Sequence, residues 1–354
     1  MFKMPDRERR GRTAVIETII PHAPADVAPM RAAFARTVST QWERYVPDAL
    51  GPPGQSISDS QFAKGRFIGE MYARACYSML LVSGRGPITL SVPIRAAAVL
   101  PLSRRWTIRL GSTLLVCMKH LLPDAIHRQL LLMSALMGVL DVVLDGTAST
   151  GQAAALHVAS LFVRPAPTEV LAAEQMIVAL VQAARQSETA WQGEYWQRVL
   201  QPAVREYCQA EVLAVEQMSD PTGMGHRWAG LEAAIKGMWY VIGPRMGLQG
   251  DLCRFEQRQW NREQRWMADT SLLMQIIDDW VDQDDDCGAR LTAVVAGEWT
   301  LESVAGLYRK TMRDLTALLD EGGIRNPVLK DLLVDLYTDY LQAAISAMDS
   351  GLAA

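Results

Sequence analysis

Apolar positions recur at three- and four-residue intervals along almost the whole chain, the spacing of one helical face, and period-two alternation is nearly absent. The pattern predicts helices over 27–46, 56–82, 104–120, 124–144, 152–162, 168–186, 188–218, 230–241, 301–319 and 327–348. It also predicts one long helix, or two in line, over 251–286. Breakers separate these segments: Pro47, the turn-forming 50–55, the Gly- and Pro-containing 83–87, Pro165 with Pro167, Pro221 with Gly223, and Pro244 with Gly247. Ser58 or Asp59 suits a helix cap, and Pro123 suits an early helical position. Residues 1–25 read as a loose, polar tail. The expected architecture is all-α: a single large helical bundle over 26–354, with no solenoid-period repeat and no low-complexity linker.

Composition narrows the function classes. About half of the 354 residues are apolar, enough for a large core. The formal charge of −4, with no basic tract, argues against a nucleic-acid partner. Five scattered cysteines without a CxxC pair signal neither zinc nor disulfides and suit a reducing cytoplasm. Lys3, Arg7, Arg9 and Arg10 are not followed by an apolar stretch, so a secretory signal is not expected. Between 86 and 120 apolar patches are broken by Pro87, Pro93, Pro101 and arginines. Such a stretch reads first as core. Lining a greasy pocket, or peripheral contact with a membrane surface, are its other readings. His22, His120, His127, His157 and His226 lack ligand spacing and read as structural or solvated.

Two acidic clusters change this picture. Asp278-Asp279-Trp280-Val281-Asp282-Gln283-Asp284-Asp285-Asp286 follows directly on an apolar lead-in. A helix would stack Asp278, Asp282 and Asp286 on one face, where like charges repel and the helix C-terminus disfavours anions. A solvated acidic helix end is the plain reading, and a hard divalent cation is the functional one. Asp141 and Asp145 repeat the four-residue spacing at the end of the charge-free run Leu130 to Leu140, with Ser134, Met137 and Gly138 on their face. An aspartate pair at a helix end also arises by chance. Two facing helices that each supply carboxylates can hold Mg²⁺ against a ligand's phosphates, while their apolar faces enclose a hydrocarbon. A prenyl diphosphate satisfies both halves of that description.

The paired motifs resemble the class I isoprenoid synthases. Residues 277–286 are more narrowly similar to the second acidic motif of the bacterial tetraprenyl-β-curcumene synthase family. A fainter likeness covers 57–67, including Phe62, Lys64, Arg66 and Phe67, with Tyr72 following. The first motif departs from the family pattern, being Asp-x-x-x-Asp without an adjacent aspartate pair. The resemblance implies a Mg²⁺-dependent terpene synthase in which Asp141, Asp145, Asp278, Asp282 and Asp286 hold the metal. It implies a diphosphate contact from Lys236, whose alternative is a snorkelling surface lysine, and from Lys64. Arg290, just past the aspartates, is a further candidate, otherwise solvated. A carbocation needs aromatic faces, for which Trp239, Tyr240, Tyr77 and Phe67 are available, each otherwise ordinary core.

The leading expectation is ionisation of a prenyl diphosphate to a linear or cyclic terpene. The alternatives are a prenyltransferase joining two isoprenoid units and a non-catalytic helical binding protein. A homodimer is compatible with the sequence and not specified by it.

Overall fold

The charge-free run from Leu130 to Leu140 folds as three turns of helix in which every residue is buried. A helix apolar all round has no face to offer water, so its neighbours must wrap it. The computed structural model describes residues 6–46, 62–70, 73, 74, 77, 100–122, 124–147, 157, 158, 160, 161, 172–186, 205, 265, 266, 269, 270, 272–274, 276, 277, 280, 299–321 and 323–349. In chain order the helices are α1 (Asp6–Ile19), α2 (Ala28–Tyr45), α3 (described at 62–70, 73, 74 and 77), α4 (Arg104–Leu121), α5 (Asp124–Thr147), α6 (Ala172–Gln186), α7 (described positions between 265 and 280), α8 (Leu301–Glu321) and α9 (Pro327–Asp349). The fold is all-α, and no strand occurs among the described residues. The expected helices over 188–218 and 230–241 lie outside the described residues, apart from Arg205.

Helix α2 runs against α4 and α5, α5 against α6, and α1 against α8 and α9. Buried side chains form two clusters. The first joins α2 to α6 around Trp42, Leu131, Leu136 and Leu180. The second joins α1, α7, α8 and α9 around Ile16, Leu273, Leu315 and Leu341. Three helices belong to both, α4 through Leu115 and Met118 in the first and Leu110 packed against the second. On α9, Leu332 and Leu336 face the first cluster, while Leu333, Tyr337 and Tyr340 face the second. On α3, Ala73 and Tyr77 lie in the first cluster and Phe62 packs against it, whereas Phe67 packs against the second.

Helix α3 lies directly on α5. A Cβ on Gly138 would lie 1.9 Å from the Gly65 carbonyl oxygen and 2.8 Å from the Gly69 amide nitrogen. Only glycine lets two backbones meet this closely. Gly65 sits against Gly138 and Val142, and Gly69 against Ser134, so the helices cross antiparallel. The end of α8 is set by another glycine. Gly323 takes φ +79°, its N–H donates to the Asp320 carbonyl, and the Ile324 N–H donates to the Leu319 carbonyl. That double bond satisfies the last carbonyls of the helix while Ile324 and Leu319 are both buried. Asn326 then caps α9, its Oδ1 accepting the Val328 and Leu329 N–H groups ahead of Pro327.

The polar tail expected over 1–25 is corrected: residues 6–19 form helix α1. Ile16 and Ile20 are fully buried, and the Gln342 side-chain amide donates to the Ile20 carbonyl. Four apolar residues in an otherwise charged stretch make too weak a periodic signal to read alone. Packing on α8 and α9 supplies what local propensity does not.

Replacing Gly138 by Ala should destabilise the fold by about 1–3 kcal/mol, because backbone stands where the methyl group must go. Gly306→Ala, in the open interior of α8 with nothing within 4 Å of its Cβ, should instead stabilise by about 0.5–1 kcal/mol. Urea unfolding of the two variants beside the parent measures both.

Candidate active site at the end of the buried helix

Asp141 and Asp145 occupy the last two turns of α5, which runs to Thr147. By helical register they continue the face of Ser134 and Gly138, the face that meets α3. The C-terminal end of α5 carries no basic residue in its last turn. Carboxylates there add to the negative end of the helix dipole, at a cost of about 0.3–1 kcal/mol each. Carboxylate oxygens at a negative helix end form a donor environment suited to a hard cation rather than a soft one. Among the described residues, no group of three or more His, Cys, Asp or Glu gathers at ion-binding distance.

The Gly65–Gly138 crossing sets what stands beside the aspartates. Lys64 and Arg66 flank Gly65 and are carried to the Asp141 end of α5. Lys64 is half-buried. Arg66 donates to Glu70 at 3.0 Å and also to Glu43, so its guanidinium bridges α3 to α2. Phe67 lies two residues on, roughly 200° round the helix from Gly65, and faces the second cluster. That cluster contains Leu273, Ile276 and Ile277 of α7, with Trp280 packed against it. Helix α3 therefore touches the Asp141 helix on one side. On the other it touches the core that holds the segment leading into the acidic run.

Beside the crossing, Trp42, Phe62, Gly65, Ala135, Val139 and Met176 line an apolar cavity of about 10 Å³, room for roughly one water. Tyr77 does not join the aspartates. Its hydroxyl hydrogen-bonds His127 Nδ1 at 2.6 Å in the core. His127 precedes Asp141 by fourteen residues on α5, about 20 Å along the axis. This histidine is the structural one that its isolated spacing suggested. It is fully buried, stacks near Tyr45, and has no partner for Nε2 among the described residues.

The remaining predicted site residues, Asp278, Asp282, Asp286, Lys236, Trp239, Tyr240 and Arg290, lie outside the described residues. The described positions that lead up to them, 272–274, 276 and 277, are helical as the periodicity predicts. Trp280 is half-buried and packs against the second cluster. Asp269 is a carboxylate the sequence pattern passes over. It is buried on α7 and paired with Lys310 of α8 at 2.6 Å. Next to it, Thr270 Oγ1 and the Tyr337 hydroxyl hydrogen-bond at 2.9 Å, and burial pushes the Tyr337 phenol well above its ordinary value. These contacts pin α7 to α8 and α9. A buried Asp and a lysine 41 residues later carry no local sequence signal.

Compared with known proteins, the chain matches no protein-family model, no curated protein and no solved structure. The likeness to isoprenoid synthases therefore rests on the motif residues themselves.

Burial pushes the His127 imidazole from an ordinary 6.5 down to about 4. Between those values the unfolded chain binds a proton that the folded chain does not, so stability falls as pH drops through that window. Unfolding midpoints in urea from pH 7 to pH 4.5 should decline, and the decline should be shallower in His127→Gln.

Proposed function

We propose that the protein is a Mg²⁺-dependent class I terpene synthase that ionises a prenyl diphosphate. One observation carries the reading. Asp141 and Asp145 follow directly on the wholly buried run Leu130–Leu140 of α5, next to the stretch where α3 crosses it in backbone contact. Surface helices bear acidic ends for solubility. Two aspartates one turn apart, directly after three enclosed turns, are a pattern that a ligand-binding role accounts for.

In this reading Asp141, Asp145, Asp278, Asp282 and Asp286 would hold Mg²⁺, which would supply positive charge for the departing diphosphate. Lys64, on the helix that abuts α5, offers a cation to the same oxygens, together with Lys236 and Arg290. The allylic carbon–oxygen bond breaks, and its electron pair leaves with the diphosphate. Phe67, with Trp239 and Tyr240, supplies ring faces for the resulting cation. Loss of a proton, or capture of water, ends the reaction. Tyr77 stands with His127, about 20 Å from Asp141 along α5, so its ring is not beside the bond that breaks. The likeness of residues 277–286 to the tetraprenyl-β-curcumene synthases supports a terpene synthase, and the lack of an upstream Asp-Asp-x-x-Asp in the sequence disfavours joining two isoprenoid units.

Incubating the protein with prenyl diphosphates of ten to thirty-five carbons and Mg²⁺ should give a hydrocarbon or terpene alcohol by mass spectrometry. EDTA should abolish it. Asp141→Ala and Asp278→Ala should each lower turnover by about a hundredfold or more, as expected for lost charge stabilisation at a reacting centre. If no substrate yields product, or both variants keep full activity, the assignment fails. A product formed only from two prenyl diphosphates together would move it to the prenyltransferases.

A further inference from the structure

Among the described residues four large hydrophobic side chains are exposed, and three of them, Leu100, Trp106 and Val116, lie on or just before α4. Trp106 is the most exposed, at 59%. Helix α4 carries Arg104, Arg105, Arg109, Lys119 and His120 and no acidic residue, in a chain whose net charge is −4. Register places Trp106, Arg109, Thr113, Val116 and His120 on one outward arc, with Arg105 and Lys119 at its edge. The opposite side of the helix, through Thr107, Gly111, Leu115 and Met118, is buried against α2. Arg104 is already bound, donating to Asp26 at 2.5 and 2.8 Å and to Asp335 at 2.8 Å, which fixes the start of the helix. Arg105, Arg109 and Lys119 form no ion pair among the described residues. Arg109 instead lies over the Trp106 ring at 5.2 Å. An open groove of about 990 Å³ runs beside them, lined by Pro29, Arg105, Trp106, Arg109 and Thr113 and closed at one end by the Arg104–Asp26 pair.

We propose that this face of α4 docks the protein on an anionic lipid surface. Trp106 and Val116 enter the acyl boundary, and Arg105, Arg109 and Lys119 meet headgroup phosphates. Charge and apolarity choose this occupant together. A second copy docking by the same face would set like cations against each other. A nucleic acid would leave Leu100, Trp106 and Val116 without an apolar partner. Among the described residues no helix is long and apolar enough to cross a membrane, so the contact is peripheral. The proposal is independent of the catalytic assignment, because it needs neither substrate nor metal.

Co-sedimentation of the full chain with vesicles tests it. Phosphatidylcholine–phosphatidylglycerol vesicles should carry the protein down at low salt, and pure phosphatidylcholine vesicles should not. The Arg105→Glu/Arg109→Glu variant and the Trp106→Ser variant should each weaken binding by about tenfold or more, since each cation near an anionic surface and each interfacial aromatic contributes on the order of a kcal/mol. Val15→Ser, at an exposed large hydrophobic away from this face, should bind like the parent, and circular dichroism confirms that all variants are folded. Several results would overturn the proposal: no sedimentation of the parent, equal binding to neutral vesicles, or binding that survives in the folded α4 variants. Self-association lost with Trp106→Ser, without vesicle binding, would assign the face to a second copy. Retention on duplex DNA without vesicle binding would assign it to nucleic acid.

Discussion

Two backbones in contact set the arrangement of the first half of the molecule. Gly65 and Gly69 on α3, and Ser134 and Gly138 on α5, are small residues four apart, and they let the helices approach until main-chain atoms touch. A side chain on either side would push the axes apart and open the core that Trp42, Leu131 and Leu136 close. The crossing also fixes axial register. It holds Lys64 and Phe67 at the aspartate end of α5, and Tyr77 with His127 at the other end.

Helices α3, α4 and α9 then tie the two hydrophobic clusters together, since each gives side chains to both. A carboxylate at each end of this framework is held by a distant cation. Asp269 pairs with Lys310, and Asp339 pairs with Arg31 at 2.6 Å. Burial raises the Asp339 carboxyl, and the Arg31 guanidinium opposes that rise, so α9 is clamped to α2 through a charge that depends on its partner. Such pairs add position more than stability. They belong to the framework that holds the helices in place.

Much of this was legible in the chain. Helical periodicity marked α2, α4, α5, α8 and α9 to within a few residues, because each has a continuous apolar stripe or, in α5, an apolar circumference. The charge-free run identified the buried helix, and its two aspartates stood out for the same reason. Helix α1 was not legible, since Ile16 and Ile20 gain meaning only against α8 and α9. The role of Gly65 and Gly69 was hidden as well. Glycines within a helical pattern usually read as weak points, and what makes these necessary is a partner backbone about seventy residues away.

The sequence by itself determined the helical class, most element boundaries and the acidic residues in question, because periodicity and charge are local properties. Only the tertiary structure decided which of the candidates stand together. It set Lys64 beside the Asp141 end of α5, removed Tyr77 to the core with His127, and turned Trp106 and its neighbouring arginines outward. Those outcomes depend on how closely two helices can approach and on which face each one buries, and neither is written in the spacing of a single helix.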